Sequence, residues 1–290
     1  MAEKDDWLKA GKIAGEVLNY AKSIAKPGLK LIDIAKKVDA KIYELGAKPA
    51  FPVNLSLNSV AAHYTPNVND EKVFNDGDML KIDVGVQVNG AIGDTALTVG
   101  GDEELVKASR EALNAAIKEA YAGNEVRMVG KVIQETISSF GFAPVKNLSG
   151  HGLSEYVIHS GKTIPNYDNG DQTLLQEGDT IAIEPFATDG DGLVIEGALS
   201  NIYRLDNVKP VRDMKARKIV KFVEENYKTL PFARRWLEEK FGNVSFALML
   251  LVREGVLHSY PQLKERSNGM VAQSEHSLYI GDKSVVTTKI

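Results

Sequence analysis

The stretch DVGVQVNGAIGD, residues 83–94, carries two carboxylates, Asp83 and Asp94, inside an alternating apolar pattern that should shed charge. Aspartate suits strands poorly, and a buried carboxylate is costly unless paired, hydrogen-bonded or bound to a cation. Asn89-Gly90 signals a two-residue type I′ turn. Pairing Val88 with Ala91 across that turn sets Asp83 opposite Ala96 and Asp94 opposite Gly85. Both acids then share one face as diagonal neighbours, roughly 7–8 Å apart at the backbone. Leu80, Ile82, Val84, Val86 and Val88 take the other face. Two carboxylates so close repel, and one must hold a proton unless a divalent cation removes the conflict. The plainer alternative is a pair of solvent-facing acids on an edge hairpin.

Four further residues widen the choice. His151 sits in SGHGL, between glycines that permit close backbone approach. His159 follows eight residues later in YVIHSG, and an extended segment would aim both imidazoles at one face. Glu184 ends the alternation of TIAIE, and Glu275 lies in VAQSEHSLYI. Taken singly, each reads as structural or exposed. Together, Asp83, Asp94, His151, Glu184 and Glu275 make an oxygen-and-nitrogen donor set that suits Mn, Fe, Co or Zn. A thiolate site is excluded, because the chain has no cysteine. Since carboxylates can bridge, five side chains suffice for two ions.

These residues need elements to carry them. Helical spacing covers 4–24 and 29–45, the second with Leu31, Ile34, Ala35, Val38 and Ile42 on one face and Gly46 as its C′ residue. Gly101-Asp102 opens a third helix over about 103–122, and a fourth covers about 125–140. Strand-like patterns fill 142–204 and return near 270–290, separated by three helical segments within 208–258, broken at TLP and FGN. One echo joins the two halves: DGDMLKID (76–83) and EGDTIAIE (177–184) share acid-Gly-Asp-x-apolar-x-Ile-acid. Both copies end on a strand acid, which points to a pseudo-twofold α/β fold.

Composition narrows the setting. The 290 residues are 43% hydrophobic and 26% charged, as in a soluble globular protein. A net charge of -4 gives no general drive toward DNA or anionic lipid. MAEKDDWLKA lacks the apolar core of a signal peptide, and FALMLLV (246–252) is too short to span a bilayer. Cytoplasmic residence and no membrane partner are therefore expected.

The segments FPVNLSLNSVAAHYTPN, KIDVGVQVNGAIGDTALTV, GHGLSEYVIHSGKTIPN, TIAIEPFAT and AQSEHS, spread over nearly the whole chain, resemble the type II methionine aminopeptidases. The resemblance implies the pita-bread fold: an α/β (α+β) single domain over 1–290, with a pseudo-twofold curved antiparallel sheet flanked by helices. It also implies a helical insertion, matched by 208–258, and the compact archaeal form without a lysine-rich N-terminal extension. The family's metal ligands fall on Asp83, Asp94, His151, Glu184 and Glu275, none substituted. By resemblance Asp83 serves one divalent ion, His151 and Glu184 mainly the other, and Asp94 and Glu275 bridge. The implied reaction removes the N-terminal methionine of nascent polypeptides by attack of a water, activated by the two ions, on the first peptide bond. Catalytic roles fall on His159 at the scissile amide and oxyanion, His63 at the peptide beyond the cut or the leaving amine, and Glu184 as proton shuttle. Which histidine gives the last proton stays open. Phe51, Ile158 and Tyr260 match the methionine cup, whereas His258 and His276 match no direct role.

Two rivals accompany this reading. A relative that has lost its metal site could act by binding RNA or protein, but here all five ligand positions are intact. A proline-specific aminopeptidase or prolidase shares the ligands, but usually carries a large extra N-terminal domain for which this length leaves no room. From 207 to 266 the chain has 13 Lys plus Arg against 7 Asp plus Glu. Such a basic segment can approach rRNA in a transient ribosome contact; its ordinary reading is a solvated helical face. A monomer is expected.

Overall fold

A computed structural model describes residues 2–289; Met1 and Ile290, the ends of the expected domain, lie outside the described residues. Two amphipathic helices come first, α1 (Lys4–Ile24) and α2 (Leu31–Glu44). Ala10, Ile13, Ala14, Val17, Leu18 and Ala21 form the buried stripe of α1. Leu31, Ile34, Ala35, Val38 and Ile42 form that of α2, and Gly46 follows at φ +75°. Both stripes cover Leu80, Ile82, Val84 and Val86 on the apolar face of a sheet. Its strands are β1 (Lys48–Pro49), β2 (Asn54–Leu57), β4 (Met79–Val88) and β5 (Ala91–Gly100), with β4 central; β3 (Val60–Ala62) pairs elsewhere. The expected hairpin forms without a bulge, pairing Val88 with Ala91, Asp83 with Ala96 and Gly85 with Asp94.

The second half repeats the plan. Helix α3 (Glu103–Glu119) starts where the Asp102 carboxylate accepts from the backbone N–H groups of Glu104 and Leu105, and α4 (Val126–Ser139) packs beside it. Then come β6 (Ala143–Pro144), β7 (Ser149–Ser154), β8 (Val157–Pro165), β9 (Thr180–Ile183) and β10 (Phe186–Thr188). The long β11 (Val194–Leu205) leads into α5 (Met214–Asn226), β12 (Phe232–Ala233), α6 (Arg234–Phe241) and α7 (Ser245–Arg253). The chain returns through β13 (Leu257–Glu265), β14 (Val271–Gln273), β15 (His276–Tyr279) and β16 (Val285–Val286).

The curved sheet consists of four antiparallel pieces. Besides the β4 sheet these are β16-β15-β9-β7-β8, β14-β10-β6 and β12-β11-β13-β3. An isolated bridge between Ala96 and Glu275 stitches β5 to the C-terminal strands. The segment 208–258 is helical as expected, but it also contributes β12 and the start of β13. Its helices enclose their own apolar cluster, including Ile219, Val223, Phe232, Leu237, Leu248 and Leu251. Within the FALMLLV run, Leu248 and Leu251 are buried and Phe246 and Met249 exposed. No helix of the described residues is long and apolar enough to cross a membrane.

The sequence echo is an echo of structure. In one copy Asn75 N–H donates to the Asp78 carboxylate and Asp78 N–H to the Asn75 carbonyl; in the other Gln176 and Asp179 do the same. Gly77 and Gly178 sit between them at φ +84° and +88°, a conformation glycine adopts without steric cost. Five residues beyond each aspartate lies an acid: Asp83 within β4, Glu184 just past β9.

Candidate metal centre

Asp83 and Asp94 project from the same face of the β4–β5 hairpin, as its register requires. Opposite Asp94, the missing side chain of Gly85 leaves room for the Phe51 ring: a β-carbon there would lie 2.1 Å from Phe51 Cε1. Glu184 and Glu275 come from breaks in a second ladder. Ile183 pairs with His276 and Phe186 with Gln273, so Glu184-Pro185 faces Ser274-Glu275 across a gap. Pro185 cannot donate to a ladder, and Glu275 instead exchanges backbone hydrogen bonds with Ala96 of β5. Both glutamates are thereby turned toward the hairpin acids.

The two histidines meet by a different route from the one the sequence suggests. His151 and His159 do not lie along one extended segment, because the chain reverses at Glu155-Tyr156, with Tyr156 at φ +58°. They sit on neighbouring strands, β7 and β8, with ring centroids 4.4 Å apart and nearly perpendicular. The ladder between these strands is irregular there, with register shifts on either side of Gly152.

The electrostatics are those of a site short of positive charge. His151 Nε2 lies 3.5 Å from Glu184 Oε1 and 3.8 Å from Asp94 Oδ2. Its Nδ1 faces the Gly152 carbonyl at 3.3 Å; a carbonyl only accepts, so the ring proton belongs on Nδ1 and Nε2 presents a lone pair. Burial, then the His159 ring, lowers the His151 pKa to about 3, so this ring is neutral. Burial pushes Asp83 up to about 7. Asp94 is held well above the carboxylate range by burial and then by Asp83, and Glu184 by burial, Asp94 and Asp83. Glu275 is raised by burial, Asp94, Glu184 and Asp83. Asp83 Oδ1 and Asp94 Oδ1 are buried without any hydrogen-bond partner. Lone pairs facing lone pairs in low dielectric favour a cation at their centre. One donor atom each from Asp94, His151 and Glu275 lie within 4.8 Å of one another, close enough to hold it. The donors present fit a divalent ion of the first transition row.

Every side chain given a metal, catalytic or substrate role from the sequence lines the same cavity: Phe51, His63, Asp83, Asp94, His151, Ile158, His159, Glu184, Tyr260 and Glu275. His63, at φ +64°, faces the Pro261 carbonyl through Nδ1 at 3.3 Å and sets its ring edge-on to Tyr260, 5.4 Å away. Burial and then His159 lower its pKa to about 4. His159 is exposed, at the cavity mouth. Asn54, Ala62, Ile202 and Pro231 complete the wall and carried no signal in their residue types. Gln273, 3.4 Å from both Glu184 Oε2 and Glu275 Oε2, was legible only as the residue two before Glu275, on the same strand face. Outside the cavity, His276 faces Thr288 Oγ1 at 2.8 Å, and His258 packs edge-on against Tyr260.

Residues 6–254 match metallopeptidase family M24. A methionine aminopeptidase of Archaeoglobus fulgidus is 48% identical over 289 residues, spanning 99% of this chain and 98% of that one. Among solved structures, a methionine aminopeptidase of Thermotoga maritima superposes with a TM-score of 0.72 at 25% identity, covering 99% of this chain and 96% of that one. A thermophilic Arx1 superposes with a TM-score of 0.86, covering 99% and 91%; at 18% identity the likeness is one of fold.

Proposed function

We propose that this chain, which belongs to metallopeptidase family M24 and is a metalloaminopeptidase, removes the N-terminal methionine from nascent polypeptides. One observation carries the reading: partnerless carboxylate oxygens and an unprotonated imidazole nitrogen converge in a cavity whose other wall is apolar. Asp83, Asp94, His151, Glu184 and Glu275 would hold two divalent ions, Co, Mn, Fe or Zn. Bound there, the ions supply Lewis acidity to a water and to the scissile carbonyl.

The protein's own groups do the rest. Glu184, whose carboxylate lies in the cavity with Oε1 3.5 Å from His151 Nε2, takes the proton of the attacking water and passes it to the leaving amine. His159, at the mouth, donates to the carbonyl oxygen as charge develops on it. His63, its Nδ1–H committed to Pro261, turns an unprotonated Nε2 to a peptide N–H beyond the cut. Phe51, Ile158 and Tyr260, with Ile202 and Pro231, close an apolar cup that suits an unbranched thioether.

Metal-free protein titrated with Mn, Fe, Co or Zn is expected to release methionine from Met-Ala-Ser and from Met-Pro peptides. No release with any ion, or cleavage of internal X-Pro bonds instead, overturns the assignment. The enzyme is read as a cytoplasmic monomer with no membrane or specific DNA partner. A transient contact of the basic segment 207–266 with ribosomal RNA would put it where substrates emerge; co-sedimentation with ribosomes that vanishes at high salt identifies such a contact.

A further inference from the structure

Arg235, in the first turn of α6, has a side chain with no exposed surface at all. One side of its guanidinium meets the α2 carboxylate Asp39, Nη2 at 2.8 Å and Nε at 3.3 Å from Oδ2. The neighbouring Trp236 donates to the same oxygen through Nε1 at 2.8 Å. A salt bridge and an indole are already enough to dock α6 on the body. The other arm does something different: Nη1 donates to Thr65 Oγ1 at 2.6 Å and approaches the Pro66 carbonyl at 3.3 Å. Thr65 Oγ1 in turn donates to the Val53 carbonyl at 2.8 Å, between the pocket residues Phe51 and Asn54. The loop so clamped begins at His63.

His63 needs a clamp. Its φ of +64° is one that residues with a β-carbon rarely adopt, and such a conformation persists only where the surroundings over-determine it. On one side the backbone is held by Leu55 N–H donating to the Tyr64 carbonyl at 2.7 Å. On the next two residues the hold comes from Arg235. The segment that carries α6 also supplies Pro231 to the cavity wall and β12 to the strand bearing Ile202. We propose that Arg235 is a positioning residue for His63, by which the helical segment sets the substrate side of the cavity.

A guanidinium is required because acceptors lie on opposite edges of the group; a single ammonium cannot span Asp39 and Thr65 together. The activity arm of the test rests on the aminopeptidase reading above. Arg235→Met and Arg235→Lys are expected to lower kcat/KM on Met-Ala-Ser roughly 100-fold, mainly in kcat, the size of effect a small misplacement of a substrate-positioning group produces. Thr65→Val, which removes one hydroxyl and no charge, is expected to cost about tenfold. In a His63→Ala background all three should add less than about twofold, because the group through which they act is gone. Equal losses in both backgrounds make Arg235 a merely structural residue and overturn the proposal.

A second readout is independent of activity. In metal-free protein the ring resonances of His63 should move in Thr65→Val and in either Arg235 variant, and unmoved resonances overturn the positioning role. Should the unaltered protein release no methionine with any ion, the aminopeptidase reading fails, and the His63 resonances alone decide the clamp.

Discussion

Asp94 works against the fold that carries it. It is 2% exposed, its Oδ1 lacks a partner, and the nearby Asp83 raises its pKa further. Glu275, equally buried, stands in the same conflict with Asp94, Glu184 and Asp83. Replacing either acid by its amide removes a charge that only a cation can balance. Asp94→Asn and Glu275→Gln should therefore raise the stability of metal-free protein at pH 8 by about 1–3 kcal/mol, the scale of relieving a buried polar group whose demand for a partner is unmet. Both should also lose divalent-ion binding and turnover. Urea unfolding in the presence of a chelator checks the first half, and calorimetric titration with Mn the second; a variant less stable than the parent contradicts the account. The acids were legible from the sequence because each interrupts an apolar pattern that gives it no local reason to be there. Asn54, Ala62, Ile202 and Pro231 interrupt nothing, and only tertiary structure brings them to the cavity.

At the scale of elements, the hairpin register decides which residues can share the site. Gly85 lies directly across from Asp94, and the volume its side chain would fill is taken by Phe51. Gly85→Ala should displace that ring, raise KM for methionyl peptides about tenfold, as pocket changes of one carbon do, and cost about 1–3 kcal/mol from overpacking. Metal affinity should stay unchanged, because the backbone that aims Asp94 is held independently by Ser277, whose hydroxyl accepts from Asp94 N–H and donates to its carbonyl. Kinetics on Met-Ala-Ser beside a Mn titration separate the two, and a fall in metal affinity matching the rise in KM counts against this division. The register was readable because Asn89-Gly90 has essentially one hairpin geometry available, and the structure places Asn89 at φ 51° and Gly90 at φ +93°. Helices α1 to α4 were readable from their apolar stripes and from Asp102 and Gly46 at their ends. The reversal between β7 and β8 was not, because Glu155-Tyr156 carries none of the usual turn residues. Its left-handed Tyr156 is held from outside, by a backbone hydrogen bond from Tyr156 to Gly90 in the neighbouring hairpin turn. Nor does local sequence reveal that the ladder opens at Glu184-Pro185, since the gap belongs equally to Ser274-Glu275, ninety residues away.

In the whole molecule the donors come from both halves, so a cation held among them ties the β4–β5 hairpin to the C-terminal strands. Without it, titration sets two trends against each other. Asp83 rises from 3.8 to about 7 on folding, and Asp94, Glu184 and Glu275 rise as well. Above the ordinary carboxylate range the folded state keeps protons the unfolded chain has lost, so stability falls as pH climbs toward those raised values. The histidines act the other way. His63 and His276 fall to about 4 and His151 to about 3, so the unfolded chain takes up protons the folded state excludes, and stability rises with pH through about 6.5, where free histidine is half protonated, and levels off about a unit above. The two trends oppose one another below that point. Above it the four carboxylates face a buried ammonium, Lys81, whose pKa burial pulls well below its ordinary value and which acts in the histidines' direction; four acids outweigh that one group. Metal-free protein should accordingly lose stability between pH 6.5 and 8. A divalent ion needs the ionised carboxylates and displaces their protons, so the stability it adds should grow over the same interval. With Mn fixed at the concentration that is about a hundred times its dissociation constant at pH 8, the melting temperature should rise by about 5–10 °C at pH 8 and by clearly less at pH 5.5. Paired thermal scans with chelator and with Mn across that range measure it. An increment independent of pH, or larger in acid, would mean that these acids are not the groups that bind the ion, whatever the activity of the enzyme.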